Sequence, residues 1–366
     1  MKQMMNPYIK TKITVTRIML DVLLALLPMA VVACLAYGYT ALWMMLTAMG
    51  SALLSEIIGS FLLPGKWKPS FLDGSALVTA LLLCFTLSPK TPLLVVAFGA
   101  AMAILFGKLL WGGLGGNQFN PALVGREFMA AFFPAVMSGA TLWATKSLVN
   151  IPGLKGFSFF GSEAFSHFSD GLIYKTGGAL GEYSILAIAL GGLFLLVRQR
   201  ISWHIPFALL VTFAAGVWIL QDTGALRYSV GGVLLSAVFM ATDMPSSPNN
   251  RMGQIYYGVM IGIVTLLFLK TGIRYEYMSY SILILNGYAL KITTLFQPRA
   301  WGVVEEGKRW NKLENLFLLT LRILSTALAV SALHYYGFTQ WLVFVFVVYL
   351  VLKFRYSYSK ATYLTD

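Results

Sequence analysis

The feature that most constrains this chain is the length of its uninterrupted apolar runs. Leu93 to Phe106 and Leu342 to Leu352 contain no charged residue, and neither shows the narrow apolar stripe of a helix lying on a water-soluble core. Runs of this kind, approaching about 20 residues, match the ~30 Å hydrocarbon layer of a bilayer. Inside that layer each backbone N–H and C=O must be satisfied within its own segment, so the spans are expected to be helices. The alternation of apolar and polar residues that a membrane β-barrel requires is not visible. Composition agrees: 58% of the 366 residues are hydrophobic and 11% are charged, against about 25% charged in soluble domains. Such a chain cannot build a polar shell.

Twelve spans are predicted, at 17–37, 39–63, 74–89, 92–111, 121–137, 184–197, 203–220, 229–243, 254–271, 277–296, 316–336 and 338–354. Three are short for a full crossing (74–89, 121–137 and 229–243), and each adjoins Gly-, Pro- or Asp-containing sequence. Either their boundaries are clipped, or they are broken helices of the kind that transport folds use to place polar backbone at depth. Lys and Arg orient the bundle. With a cytoplasmic N-terminus, 19 of them fall on the cytoplasmic side, Lys108, Arg126, Arg198, Arg200, Lys291 and Lys353 included, and 7 on the outer side, with Arg322 inside a span. Both termini are then cytoplasmic, and the long segment 138–183 is an outer loop.

The net charge of +13 does not indicate nucleic-acid binding, because the basic residues do not cluster on a soluble face. Two cysteines, Cys34 and Cys84, cannot by themselves hold an iron–sulfur cluster and make a disulfide framework implausible. The three histidines show no metal-ligand spacing, and no metal site or catalytic residue is assigned. No nucleophile–base pair, zinc motif or phosphate-binding loop is present. The N-terminal MKQMMNPYIKTKITVTR lacks the apolar core of a cleaved signal peptide.

Acidic residues within or at the mouths of spans are the candidate functional groups, since an ionisable side chain there is costly and marks an ion or ligand path. Asp21 and Glu56 lie near predicted helix ends, where snorkelling to the interface accounts for them. Asp73, Glu127 and Asp243 sit in unusual sequence. Asp73-Gly74-Ser75 precedes an apolar run; Asp73 can cap a helix, or the Gly-Ser pair can admit a ligand to its N-terminus. The stretch WGGLGGNQFNPA (111–122) combines Gly115 and three further glycines with the amides of Asn117 and Asn120, and Pro121 can open a helix. It is not a dinucleotide fingerprint, because no strand precedes it. Asp243 stands in MATDMPSSP (240–248), a polar, proline-broken run or a plain connector. From the residues alone, the chain is a transporter, a channel or a membrane electron carrier.

Seven pieces, in order, carry a family resemblance: RIMLDVLLALLP (17–28), DGSALVTALLL (73–83), GKLLWGGLGGNQFNPALVGREF (107–128), GGALGEYSILAIALGGLFLL (177–196), SWHIP (202–206), FMATDMPSSPNNRMGQIYYG (239–258) and YSILILNGYALKITTLFQPRAWG (280–302). They resemble the RnfD/NqrB family, which comprises the D subunit of the Rnf ion-translocating oxidoreductase and the B subunit of the sodium-pumping NADH:quinone oxidoreductase. The resemblance implies an all-α integral membrane protein with a ten-helix core of two inverted five-helix repeats, like urea transporters, over residues 1–302. It also implies a non-autonomous component of a translocase in the bacterial inner membrane, coupling electron transfer to Na+ or H+ movement. Its expected partners are other Rnf-type membrane and flavoprotein subunits and membrane lipid. Asp73, Gly74, Ser75, Gly115, Asn117, Asn120 and Asp243 are the expected flavin- or ion-site residues.

Family members carry FMN joined through its phosphate to a threonine that a flavin transferase selects in the motif Asp-Gly-x-Ser/Thr-Gly-Ala-Thr. Here Ser138-Gly139-Ala140-Thr141 is present, with Ala135 in place of the Asp. Thr141 is therefore the candidate for covalent FMN; Thr145 is a weaker one. The alternative is a branch that has lost the covalent flavin, with or without FMN, riboflavin or another flavin held noncovalently. Lys291 replaces an acidic residue usual in the family, and 303–366, with two further spans, is not part of the family core. Two other functions stay open at this point: a solute channel on the same scaffold without redox work, and a component of another flavin-based extracellular electron-transfer system.

Overall fold

The computed structural model describes residues 14–62, 73–138, 178–220, 228–297 and 308–363. Thr141, Thr145 and nearly all of the predicted loop 138–183 lie outside the described residues. Among those described, every regular element is helical, and a helix overlaps each of the twelve segments expected from the sequence. In chain order they are α1 (Val15–Tyr37), α2 (Tyr39–Leu62), α3 (Ser75–Phe85), α4 (Leu93–Gly107), α5 (Pro121–Phe132), α6 (Ile185–Val197) and α7 (His204–Ile219). There follow α8 (Val230–Leu235, continued by a π-helical turn over Ser236–Met240), α9 (Arg251–Lys270), α10 (Tyr277–Leu295), α11 (Lys308–Tyr335) and α12 (Thr339–Tyr363).

Local chemistry sets many of the boundaries. Thr14, Ser184, Ser229 and Asn250 each accept a hydrogen bond from a backbone N–H in the first turn that follows, capping α1, α6, α8 and α9. Asn120 caps α5 in the same way, through Ala122 and Leu123, and Pro121 occupies the first helical position. Gly38 ends α1 with φ of +63° and donates its N–H to the Cys34 carbonyl at 2.8 Å.

Among the described residues, five helical stretches are long and apolar enough to cross a membrane: Val15–Tyr37, Tyr39–Phe61, Leu93–Trp111, Arg251–Lys270 and Lys312–Tyr335. Their outward faces are apolar, as on α1, where Leu20, Leu24, Leu27, Val31 and Leu35 are about half exposed. In water that face would be a liability; against lipid it is matched to its solvent. Ser75–Phe85 and Val230–Met240 are shorter apolar helices; eleven residues at 1.5 Å each extend only about 16 Å, half of the hydrocarbon layer.

Packing follows a pattern with an offset of five helices. α2 packs on α4 and α4 on α5; α7 packs on α9 and α9 on α10. α1 packs on α6, joining the two sets. Close approach is bought with glycine: a Cβ on Gly125 would lie 2.5 Å from the Gly99 carbonyl oxygen at the α4–α5 crossing, and one on Gly258 would lie 2.7 Å from that of Ile205 at the α7–α9 crossing. α11 rests on α9 and α10, and α12 on α5.

Candidate functional site

The two short helices meet the candidate residues. α3 begins where Asp73 turns the chain: its Oδ1 accepts the Ser75 N–H at 2.8 Å and the Ser75 hydroxyl at 2.6 Å. Gly74 sits between them with φ of +82°, a left-handed conformation that glycine adopts without strain. α8 ends on its π turn, and Asn120 donates its side-chain N–H to the Met240 carbonyl at 3.1 Å. One amide therefore caps the start of α5 and ties it to the end of α8.

Asp243 follows directly. Its Oδ2 accepts from the Ser246 hydroxyl at 2.7 Å and from the Asn117 amide at 3.4 Å. Behind them lies Asn286 of α10, with its amide set by its neighbours: the oxygen accepts from the Asn120 backbone N–H at 3.0 Å and the nitrogen donates to the Ser246 carbonyl at 3.2 Å. Asn286 also hydrogen-bonds the buried Tyr257 hydroxyl. The loops at 115–120 and 243–246, far apart in sequence, are thus cross-linked by buried amides.

These groups surround a cavity of about 230 Å³. Of the expected site residues, Ser75, Gly115, Asn117, Asn120 and Asp243 line it, together with Lys108 and Arg200. Gly115, with φ of +90°, has no atom within 4 Å of where a Cβ would stand, so conformation and not crowding calls for glycine there. Asp73 and Gly74 reach the cavity only through Ser75. Val22, Val78, Leu82, Leu195 and Phe239 supply apolar walls.

Sequence reading missed the cations. Lys108 is buried and donates to Glu56 Oε1 at 2.5 Å and to the Ser75 hydroxyl at 2.5 Å. Glu56 is 1% exposed; it does not snorkel, as its place near a helix end had suggested, but neutralises a lysine in the bundle. Asp21 does not snorkel either. It is buried and accepts from Arg198 at 3.1 Å and Arg200 at 2.7 Å. Arg126 is also interior: it donates to the carbonyls of Thr86 and Tyr275. Lys108 and Arg126 therefore drop out of the loop-charge count, which becomes 17 against 7 from the original 19 against 7. The signal that could have found these pairs is stoichiometric: each acid inside a span needs a cation at similar depth.

A smaller cavity of about 30 Å³ lies at the other ends of the short helices, lined by Thr86, Arg126, Glu182, Gly232, Ser236 and Met240 among others. α3 runs from the larger cavity to the smaller, and α8 runs back. Glu182 accepts from the Ser229 hydroxyl at 2.5 Å, next to the start of α8. Glu127 points elsewhere, into a third cavity beside the C-terminal helices.

Comparison with known proteins adds an independent line. The model of the NQR2, RnfD, RnfE family matches residues 2–302. The D subunit of the proton-translocating ferredoxin:NAD(+) oxidoreductase complex of Clostridium ljungdahlii is 33% identical over 319 residues, covering 81% of this chain and 95% of the relative. The D subunit of the Na(+)-translocating ferredoxin:NAD(+) oxidoreductase complex of Acetobacterium woodii is 34% identical over 303 residues, covering 82% and 95%. The D subunit of the ion-translocating oxidoreductase complex of Stutzerimonas stutzeri is 32% identical over 337 residues, covering 81% and 94%. With a family match over most of its length and relatives of this similarity along nearly their whole chains, this chain belongs to the NQR2, RnfD, RnfE family.

Proposed function

We propose that this chain is the D-type membrane component of an Rnf-like complex, a multi-pass protein of the bacterial inner membrane through which electron transfer is coupled to Na+ or H+ movement. The observation that carries the reading is the convergence of Ser75, Asn117, Asn120 and Asp243 with Lys108 and Arg200 on one cavity, in a chain of this family. The packing pattern that recurs at an offset of five helices, with α3 and α8 running in opposite directions, supports a ten-helix core of two inverted repeats. α11 and α12 lie beyond the family match, as an extension. Both termini are assigned to the cytoplasm on the corrected charge count.

Asp243 is the residue we assign to the ion. It follows the end of a half-helix, where free carbonyls and a carboxylate together suit a cation or a proton, and Asn117 and Ser246 hold its carboxylate in place. Arg200 is kept from neutralising it by its own bond to Asp21.

The same cavity suits a noncovalent flavin, FMN or riboflavin, in part. Its apolar walls can sandwich a planar ring, Lys108 uses two of its three donors within the protein, and Asn117 lines it. Its volume is below the ~300 Å³ at which pockets enclosing a whole drug-sized ligand begin, so a ring fits and its ribityl arm would lie outside. When bound, a flavin supplies electron-carrying chemistry that no side chain here can. Thr141 remains the proposed attachment point for covalent FMN, added by a flavin transferase. The test is purification from native membranes. Rnf-type partner subunits and acid-extractable or covalent flavin should accompany the chain; isolation as a lone, flavin-free channel protein would overturn the reading.

A further inference from the structure

The third cavity, of about 610 Å³, has two of its walls in the C-terminal extension. Val330 of α11 and Val343 of α12 face Phe128 of α5 and Leu283 of α10 across it. α11 and α12 touch each other little and rest separately on the core, so the space between them is open to the bilayer. Its middle is walled by apolar side chains, and in a membrane such a space fills with something apolar.

Its two ends differ in charge. At one end, Lys291 lies 5.6 Å from the centre of the Tyr288 ring, and Lys353 lies 5.9 Å from that of Tyr349 and 4.0 Å from that of Trp111. Tyr288 and Tyr349 both line the chamber, and neither lysine has an acidic partner among the described residues. At the other end are Tyr280 and Glu127, within electrostatic reach of each other; Glu127 Oε1 is buried without a hydrogen bond. Tyr280 and Lys291 are separated by about 16 Å along α10. An occupant thus meets Lys291 in the lining, with Lys353 one helical turn beyond Tyr349 at the same end, then an apolar length, and a carboxyl group at the other end.

We propose that this chamber binds an anionic phospholipid, with its phosphate between Lys291 and Lys353 and an acyl chain lying between α11 and α12. The lysines sit on the side assigned to the cytoplasm, where basic residues next to a span recruit anionic headgroups. The direction is set by the lysines alone, because no lysine or arginine lines the chamber beside Glu127 and Tyr280. A cationic amphiphile would face the two lysines at the mouth and is disfavoured. The lipid would fill the seam between the family core and the extension.

Native mass spectrometry of the full-length protein, released from nanodiscs of equal phosphatidylglycerol and phosphatidylcholine, tests this directly. Wild-type protein should retain phosphatidylglycerol over phosphatidylcholine by roughly tenfold or more, the preference expected of two lysines at a membrane surface. The double variant Lys291→Gln/Lys353→Gln, with changes at the exposed mouth that leave the core intact, should lose that preference. Val343→Trp should displace the lipid altogether. Equal retention of the two lipids by wild type, an undiminished preference in the double variant, or a bound cationic amphiphile in place of phospholipid would each overturn the assignment.

Discussion

Lys108 and Glu56 make a quantitative test of the interior, because their exposures leave no room for solvent to soften a change. The two side chains are 2% and 1% exposed and 2.5 Å apart. Glu56→Leu removes the counter-ion and leaves an ammonium with only the Ser75 hydroxyl; Lys108→Met strands the carboxylate, whose Oε2 already lacks a hydrogen bond. Breaking a buried pair from either side costs about 3–5 kcal/mol, whereas replacing both members by apolar groups of similar volume is close to neutral. The double variant Glu56→Leu/Lys108→Met should therefore be more stable than either single variant, with a coupling of at least ~2 kcal/mol. The assay is unfolding in mixed micelles, followed by tryptophan fluorescence, on all four proteins. If the double variant loses the sum of the two single losses, the residues are not a pair inside the bundle and the placement of α2 against α4 near the cavity is wrong.

Three further outcomes are expected. Asp243→Asn preserves the acceptor for Ser246 and removes the charge, so it should leave yield and folding intact while removing most redox-driven ion uptake; uptake at the wild-type rate would move the ion site elsewhere. Thr141→Val removes only the hydroxyl that a phosphoester needs, and a position outside the helical bundle should tolerate it within about ±0.5 kcal/mol if the sequence-predicted outer loop holds. In denaturing gels it should abolish flavin fluorescence that Thr145→Val leaves unchanged, and fluorescence persisting in Thr141→Val would place the attachment elsewhere. A cysteine introduced as Phe160→Cys, in a chain lacking Cys34 and Cys84, should react with an impermeant reagent from outside; reaction only after permeabilisation would invert the topology.

Helix positions were legible in the sequence because lipid imposes a one-dimensional code: an apolar run ends where polar residues begin. Pro121 is a clear case, read from sequence as able to open a helix and found at the first position of α5, which Asn120 caps. The short segments 74–89, 121–137 and 229–243 were legible as anomalies, and the helices in them, α3, α5 and α8, each have an end at the cavity. The partners of the charges were not legible. Glu56 and Lys108 are 52 residues apart, and Asp21 and Arg200 are 179 apart; a hydropathy profile carries depth and no azimuth, so it cannot say which charge faces which. The π turn at Ser236–Met240 was hidden for a similar reason. SAVFM is ordinary helix-forming sequence, and nothing in it marks the hydrogen bond that the Ala241 N–H donates to the Ser236 carbonyl five residues back.

The central claim, that electrons moving through the complex containing this chain drive an ion across the membrane, is tested most directly in proteoliposomes of the purified complex. Reduced ferredoxin and NAD+, the couple named for the Clostridium ljungdahlii and Acetobacterium woodii relatives, are supplied as trial donor and acceptor, and Na+ and H+ are followed by isotope and by a pH-sensitive dye. The account predicts transport of one of the two cations that begins with electron flow, stops when the donor is exhausted and fails in Asp243→Asn. Electron flow without movement of either cation, in sealed vesicles, would contradict it.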